Sequence, residues 1–273
     1  MNPNSVADRL KAYCETYDLE WSHLPEVLSD LKVIPMIRGK SFEFTVVERL
    51  RLLLPAKDWQ VTNPNINPQP GTEHGSDIIA ESFGNRRARL RIECKLAGKG
   101  TFRLRAGIGT LSVKCMRSRT VSDNDSATRM AEYYHIDRAA LLRHSDSYRA
   151  TDFDYIISSV GNSMYSSNDD QYVFSGDSSQ FRYLKSKFPQ NFRREEDFKK
   201  DAFAFLIYAR SEDLAVSEES GVSCKKRLCR NAGTDNTCGF IPDYPNVKLD
   251  DVASGTSAWK PLVRIAEDFS SRL

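Results

Sequence analysis

Apolar residues recur at helical spacing near the N-terminus and alternate with polar ones further along. Val6, Leu10, Tyr13 and Tyr17 stand at i, i+4, i+7 and i+11, which predicts a helix over residues 5–20. Residues 21–35 read as a second short helix ended by Pro35. A wider stripe of Phe42, Val46, Val47, Leu50, Leu53 and Leu54 predicts a helix over 40–54, stopped by Pro55. Residues 59–75 begin as a short strand and become a Pro/Asn/Gly loop. Two strand-like runs, 76–83 and 87–97, come next across a Gly84-Asn85 turn, and alternation resumes over 101–105 after a break at 98–100. Residues 126–143 read as helical, 153–160 and 202–209 as buried strands, and 258–269 as a closing helix. Strands alternating with helices predict an α/β or α+β fold, with a sheet covered on its faces.

Length fits that picture: 273 residues suit one large domain or a domain with an appendage. The expected division is a core with N-terminal helices over 1–210 and a Cys-containing, loop-rich extension with a C-terminal helix over 211–273, which could be integral to one domain. The longest apolar run, 202–209, is eight residues, against the ~20 of a membrane-spanning helix. The N-terminus carries charges and lacks an apolar stretch followed by a small-residue cleavage site, so a cytoplasmic protein is expected.

Charge changes the picture more than composition does. The net charge is only +2, yet residues 86–119 hold eleven basic residues against one acid, Glu93, a local +10 that leaves −8 for the rest. So uneven a balance leaves few nearby acids for pairing and points to a polyanion partner, nucleic acid foremost. A solvated face with scattered ion pairs is the plainer alternative.

The basic segment also contains the candidate chemistry. On the strand 87–97, Arg89, Arg91, Glu93 and Lys95 share one face, and Leu90, Ile92, Cys94 and Leu96 share the other. Asp77 opens the neighbouring strand, so hairpin pairing brings it toward Glu93. Two adjacent carboxylates repel unless a proton or cation lies between them, and hard oxygen donors with room for water suit Mg²⁺. Lys95 could orient a water or neutralise developing charge. On the helix 40–54, Glu43 projects into the apolar arc and Glu48 opposite it, which marks Glu43 as facing the site.

The set Gly39-Lys40-Ser41-Phe42-Glu43, Gly75-Ser76-Asp77-Ile78-Ile79-Ala80 and Ile92-Glu93-Cys94-Lys95 resembles the PD-(D/E)XK nuclease superfamily, and within it the type II and modification-dependent restriction endonucleases. The resemblance covers about residues 38–105, with Ser76 where the name-giving Pro would stand. It implies a restriction-endonuclease-like mixed sheet flanked by helices. It implies Asp77, Glu93 and the Cys94 backbone carbonyl as ligands of Mg²⁺, for which Mn²⁺ could substitute. Lys95 would be the catalytic lysine and Glu43 the helix acid. The implied activity is cleavage of double-stranded DNA at a specific sequence, leaving 5′-phosphate and 3′-hydroxyl ends. A homodimer and a genetically linked DNA methyltransferase would accompany it. Lys99, Arg103 and Arg105, together with Arg89 and Arg91, are the expected DNA contacts. A modification-dependent or repair nuclease, or a non-catalytic DNA-binding protein, are the alternatives.

Weaker signals remain. Cys224, Cys229 and Cys238 lie close together among Lys225, Lys226, Arg227 and Arg230, but their spacing matches no common zinc pattern and no His comes after them. Free thiols are expected there, with a Zn²⁺ knuckle as the alternative. His74 reads as a bland loop residue, and the polar stretch 161–170 either reads base edges or is an exposed loop.

Overall fold

The computed structural model describes residues 5–64, 75–83, 87–117, 124–135, 137–168, 171–192 and 194–272. Contacts divide it into two units, Met1–Ser41 and Phe42–Leu273. The smaller contains the helix Val6–Thr16, capped by the Ser5 side chain accepting from the Asp8 N–H, a 3₁₀ turn Trp21–His23 and the helix Leu24–Ser29. The helix expected to begin at residue 40 starts earlier, as Ile34–Leu53. Pro35 therefore opens a helix where it was expected to end one. In the first turn its missing N–H costs nothing.

Among the described residues the larger unit has eleven strands: β1 (Trp59–Thr62), β2 (Ile78–Ser82), β3 (Arg89–Cys94), β4 (Arg103–Arg105), β5 (Ile108–Ser112), β6 (Tyr155–Ser159), β7 (Tyr165–Asn168), β8 (Gln171–Phe174), β9 (Leu206–Arg210), β10 (Asn246–Lys248) and β11 (Lys260–Pro261). Six of them form a mixed sheet in the order β1-β2-β3-β6-β9-β11, in which β3 and β6 run parallel and the other neighbours antiparallel. A second sheet, β10-β5-β4, and the hairpin β7-β8 lie apart from it. The fold is thus α+β, with a mixed central sheet flanked by helices.

Alternation along the central strands explains the two apolar layers. Tyr155 and Ile157 of β6 join Leu90, Ile92 and Cys94 of β3 in packing against Phe42, Val46 and Leu50 of the long helix and Phe269 of the helix Ile265–Ser270. Ile156 and Ile207 point the other way, toward Phe181 and Leu184 of the helix Ser178–Lys187 and Val252 of the helix Leu249–Ser254. Residues beyond 210 thus contribute both strands and core to the larger unit.

Three expected elements change shape. The helix expected over 126–143 is two helices, Asn124–Tyr134 and Arg138–Arg143, separated where His135 takes φ +52° and Asp137 caps the second by accepting from the Ala140 N–H. The strand expected over 202–209 starts only at Leu206. Asp201 accepts from the Phe203 N–H in a turn, and Phe205 sits at φ +55°. The closing helix is shortened to Ile265–Ser270 because Lys260 and Pro261 pair with β9. The polar stretch 161–170 is not an exposed loop at its start: Gly161, Asn162, Ser163 and Met164 are buried, with the Asn162 amide donating to the Ala97 carbonyl. The Gly84-Asn85 turn and His74 lie outside the described residues.

Candidate active site

Antiparallel pairing of β2 with β3 matches Ile78 to Ile92, and the same register one step further sets Asp77 opposite Glu93. Glu93 stands at the end of β3, beside its parallel partner β6, where the Lys95 N–H donates to the Ile157 carbonyl. Asp77 is fixed from below by the backbone: its Oδ2 accepts from the Cys94 N–H at 2.8 Å. Glu93 is buried, and its Oε1 takes the Lys95 ammonium at 2.7 Å and the Tyr148 hydroxyl at 2.7 Å. Glu43 enters from the long helix, where it is half-buried while Glu48 is exposed. The Asn63 amide, one residue past β1, donates to Glu43 Oε2 at 2.8 Å and to the Asp77 carbonyl at 2.9 Å.

The electrostatics reflect this crowding. Burial, and then the Glu93 carboxylate, push Asp77 up to about 7, with Glu43 adding to the effect and Lys95 and the Cys94 N–H opposing it. Burial works against the Lys95 ammonium, but Glu93, with Tyr148 and Asp77 behind it, holds its pKa above the ordinary lysine value. Burial and Glu93 also raise Tyr148, so the phenol keeps its proton and donates. Its ring lies 5.2 Å from Lys95 Nζ and 5.4 Å from the Arg117 guanidinium, both cation–π contacts. Arg117 and Arg149 in turn pair with Asp152, whose carboxyl burial would raise but these two cations pull below its usual range.

Fully ionised, three carboxylates against one ammonium carry a formal charge of −2, which falls to −1 as Asp77 takes up a proton. A hard divalent cation matches both that charge and the all-oxygen donor set of Asp77, Glu93 and Glu43, so these residues fit Mg²⁺. Tyr148 and Asn63 have no signature in the chain pattern. Both are brought in by tertiary structure, and only their polar character in otherwise apolar surroundings distinguishes them. If this site is catalytic, substituting Tyr148→Phe is expected to leave the melting temperature within a few degrees but to slow the reaction by about three- to tenfold, as Glu93 loses one of its two anchors. Single-turnover kinetics beside a thermal melt check it; an unchanged rate would remove Tyr148 from the site.

The other expected residues are distributed differently. Arg89 pairs with Glu81 at 3.4 Å, and Arg91 with Asp154 at 3.5 Å and with the Thr151 carbonyl. The acids absent from the basic window are thus supplied by neighbouring elements. Lys99 bonds the Ser167 hydroxyl and lies 5.3 Å from the Tyr172 ring. Arg103 and Arg105 are exposed on β4, on the hairpin whose turn places Ala106 and Gly107 at positive φ. Cys94 is buried, its thiol pushed well above the ordinary range by burial and then by Asp77 and Glu93. Cys224, Cys229 and Cys238 come together some way along the chain, and with them His144. No helix among the described residues is long and apolar enough to cross a membrane. Comparison with known proteins finds no matching family model, curated protein or solved structure.

Proposed function

We propose that the chain is a Mg²⁺-dependent DNA endonuclease of the PD-(D/E)XK kind with a restriction-endonuclease-like core, cutting double-stranded DNA at a specific sequence as a type II restriction enzyme. The observation that carries this reading is the pairing of Asp77 with Glu93 across β2 and β3, with Lys95 at 2.7 Å and Glu43 contributing a third carboxylate. Structural ion pairs ordinarily balance their charges when buried, and this group carries an excess of two negative charges with Asp77 ionised and one with it protonated.

Asp77, Glu93 and the Cys94 carbonyl would hold the metal, with Glu43 beside them. When bound, the metal lowers the pKa of a coordinated water and offsets charge on the phosphate. The chain's own groups do the remainder. The Cys94 N–H and the Tyr148 hydroxyl fix the two carboxylates, so that no reorganisation is needed as charge develops. Lys95 places a permanent positive charge beside them, ready to orient the attacking water or a non-bridging phosphate oxygen. Attack at phosphorus in line with the 3′-oxygen then yields 5′-phosphate and 3′-hydroxyl ends. The exposed Arg103 and Arg105 share one face of β4 and suit contacts to the phosphate backbone. Arg89, Arg91 and Lys99, and Arg103 through the Gly100 and Phe102 carbonyls, are already engaged by protein partners and would have to exchange them for phosphate.

A palindromic target would call for a two-fold dimer with one such site on each strand. A cytoplasmic setting and a companion methyltransferase belong to the same proposal. Incubating the protein with unmethylated phage DNA and Mg²⁺ is expected to give discrete fragments, and a chelator is expected to stop the cutting. Fragments only from methylated DNA would favour a modification-dependent enzyme, cutting only at lesions a repair nuclease, and binding without cutting a non-catalytic DNA-binding protein.

A further inference from the structure

The second concentration of reactive side chains lies away from Asp77 and Glu93. His144 Nε2 and the thiols of Cys224, Cys229 and Cys238 lie within 4.8 Å of one another, and all but Cys238 are buried. We propose that these four side chains bind one structural Zn²⁺, which staples residues 216–240 to the loop after the helix Arg138–Arg143. Such a centre would stand whether or not the chain is a nuclease.

Geometry comes first. A tetrahedral zinc with Zn–S near 2.3 Å and Zn–N near 2.0 Å separates its ligand atoms by about 3.5–3.8 Å, so a cluster within 4.8 Å closes by about 1 Å at most, and His144 Nε2 and Cys229 Sγ, now 2.8 Å apart, open by about 0.7 Å. Three thiols and an imidazole, with no carboxylate among them, select zinc over the hard cations that suit Asp77 and Glu93.

The surroundings are those of a ligand set. His144 Nδ1 lies 3.4 Å from the Ser147 hydroxyl, which donates to Asp243 at 2.6 Å, a relay that orients the ring with Nε2 toward the sulfurs. The ring stacks on Phe240 at 4.2 Å and 8°. The Lys226 N–H donates to Cys224 Sγ at 3.5 Å. Gly239, at φ +74° immediately after Cys238, lets the chain reverse there.

The segment also needs a staple. Its apolar contacts are two small clusters: Val216, Cys224 and Cys229, with Val222 and Cys238 against them, and, where the segment ends, Phe240 with Ala127, Ala131 and Leu141. Clusters of four or five side chains are small for a loop-rich segment of this length, and metals commonly reinforce cores of that size. Binding would expel one proton from each of the three thiols, giving a centre of formal charge −1. The Lys226 ammonium, held by Asp146 at 2.7 Å and Asp243 at 3.1 Å, would offset that charge from the same side and ties the segment to the loop after the helix Arg138–Arg143. Because Tyr148 lies one turn of chain past His144, the metal would also steady the hydroxyl that reaches Glu93.

The full chain, purified without chelator, is expected to carry about one Zn per molecule by elemental analysis. Exchange into Co²⁺ should produce the visible d–d and thiolate charge-transfer bands of a tetrahedral thiolate site. Cys224→Ser and Cys238→Ser should lower zinc affinity at least about tenfold, whereas Cys14→Ser, outside the cluster, should not. Cys238→His keeps a ligand at the position and should retain the metal, which covers the case of a serine variant that fails to fold. Zinc far below stoichiometry with no tetrahedral cobalt spectrum overturns the proposal. So does a disulfide among the three cysteines in freshly purified protein, or zinc that persists undiminished in both serine variants.

Discussion

Lys95→Ala is expected to lower DNA cleavage by about 10³-fold or more while leaving DNA affinity within a fewfold of the parent. The ammonium lies 2.7 Å from Glu93 Oε1, pressed into a group with three carboxylates. Without it the site keeps its acids but has no fixed positive charge to meet the phosphate. On the proposed reading, ground-state binding would come from elsewhere, from exposed cations such as Arg103 and Arg105, and should survive. Asp77→Ala should be equally inactive, because it removes a proposed metal ligand and leaves the Cys94 N–H without its acceptor. Cleavage assays beside a binding titration separate the two effects. Activity retained in either variant would sink the assignment of the site, and loss of binding in both would show that folding rather than chemistry had been damaged.

The second large effect is on stability. An Asp77 carboxyl has an ordinary value of 3.8 and is raised to about 7 in the fold, so the folded chain holds this proton more tightly than the unfolded one. Its contribution is therefore fully present below about pH 4, declines as pH rises through about 7, and is lost above that. The shift corresponds to an upper bound of roughly 4 kcal/mol. Asp77→Asn preserves an oxygen to accept from the Cys94 N–H while removing the buried charge. In metal-free protein at pH 8 it should raise the melting temperature by several degrees, and the advantage should disappear near pH 4. Millimolar Mg²⁺ should stabilise the parent at pH 8 and do little for the variant. Parallel melting profiles across pH 4–8 would show that Asp77 does not carry the proposed strain.

How much of the fold and the site is legible in the chain depends on the range over which each interaction acts. Asp77, Glu93 and Lys95 are legible because period-two alternation on two adjacent strands decides which side chains share a face, and the β2–β3 register keeps that expectation. Glu43 is legible because a helical wheel does the same for one helix, and it is half-buried while Glu48 is exposed. Partners from distant segments leave no such mark. The lack of acids around Arg89 and Arg91 suggests unpaired cations, yet Glu81 and Asp154 reach them through strand pairing. Zinc spacing rules look for a histidine downstream of the cysteines, and His144 comes from far upstream. Local breaks are equally hidden, since the positive φ at His135 and Phe205 reflects tertiary packing more than residue type.

The parallel pairing in the central sheet has a kinetic consequence. β3 and β6 can meet only after the whole connection from Lys95 to Asp154 has been ordered or looped out, and closing a loop of that length costs about 3–4 kcal/mol beyond the constant term before any contact repays it. β6 in turn needs β9, which ends at Arg210. On a ribosome the hairpin bearing Asp77 and Glu93 would emerge first and wait, its acids still in water, until the more than 100 residues from Lys95 to Arg210 had followed. Assembly of the carboxylate cluster is thereby tied to the emergence of β9, so the nascent chain is without the site until it also has the sheet that holds it.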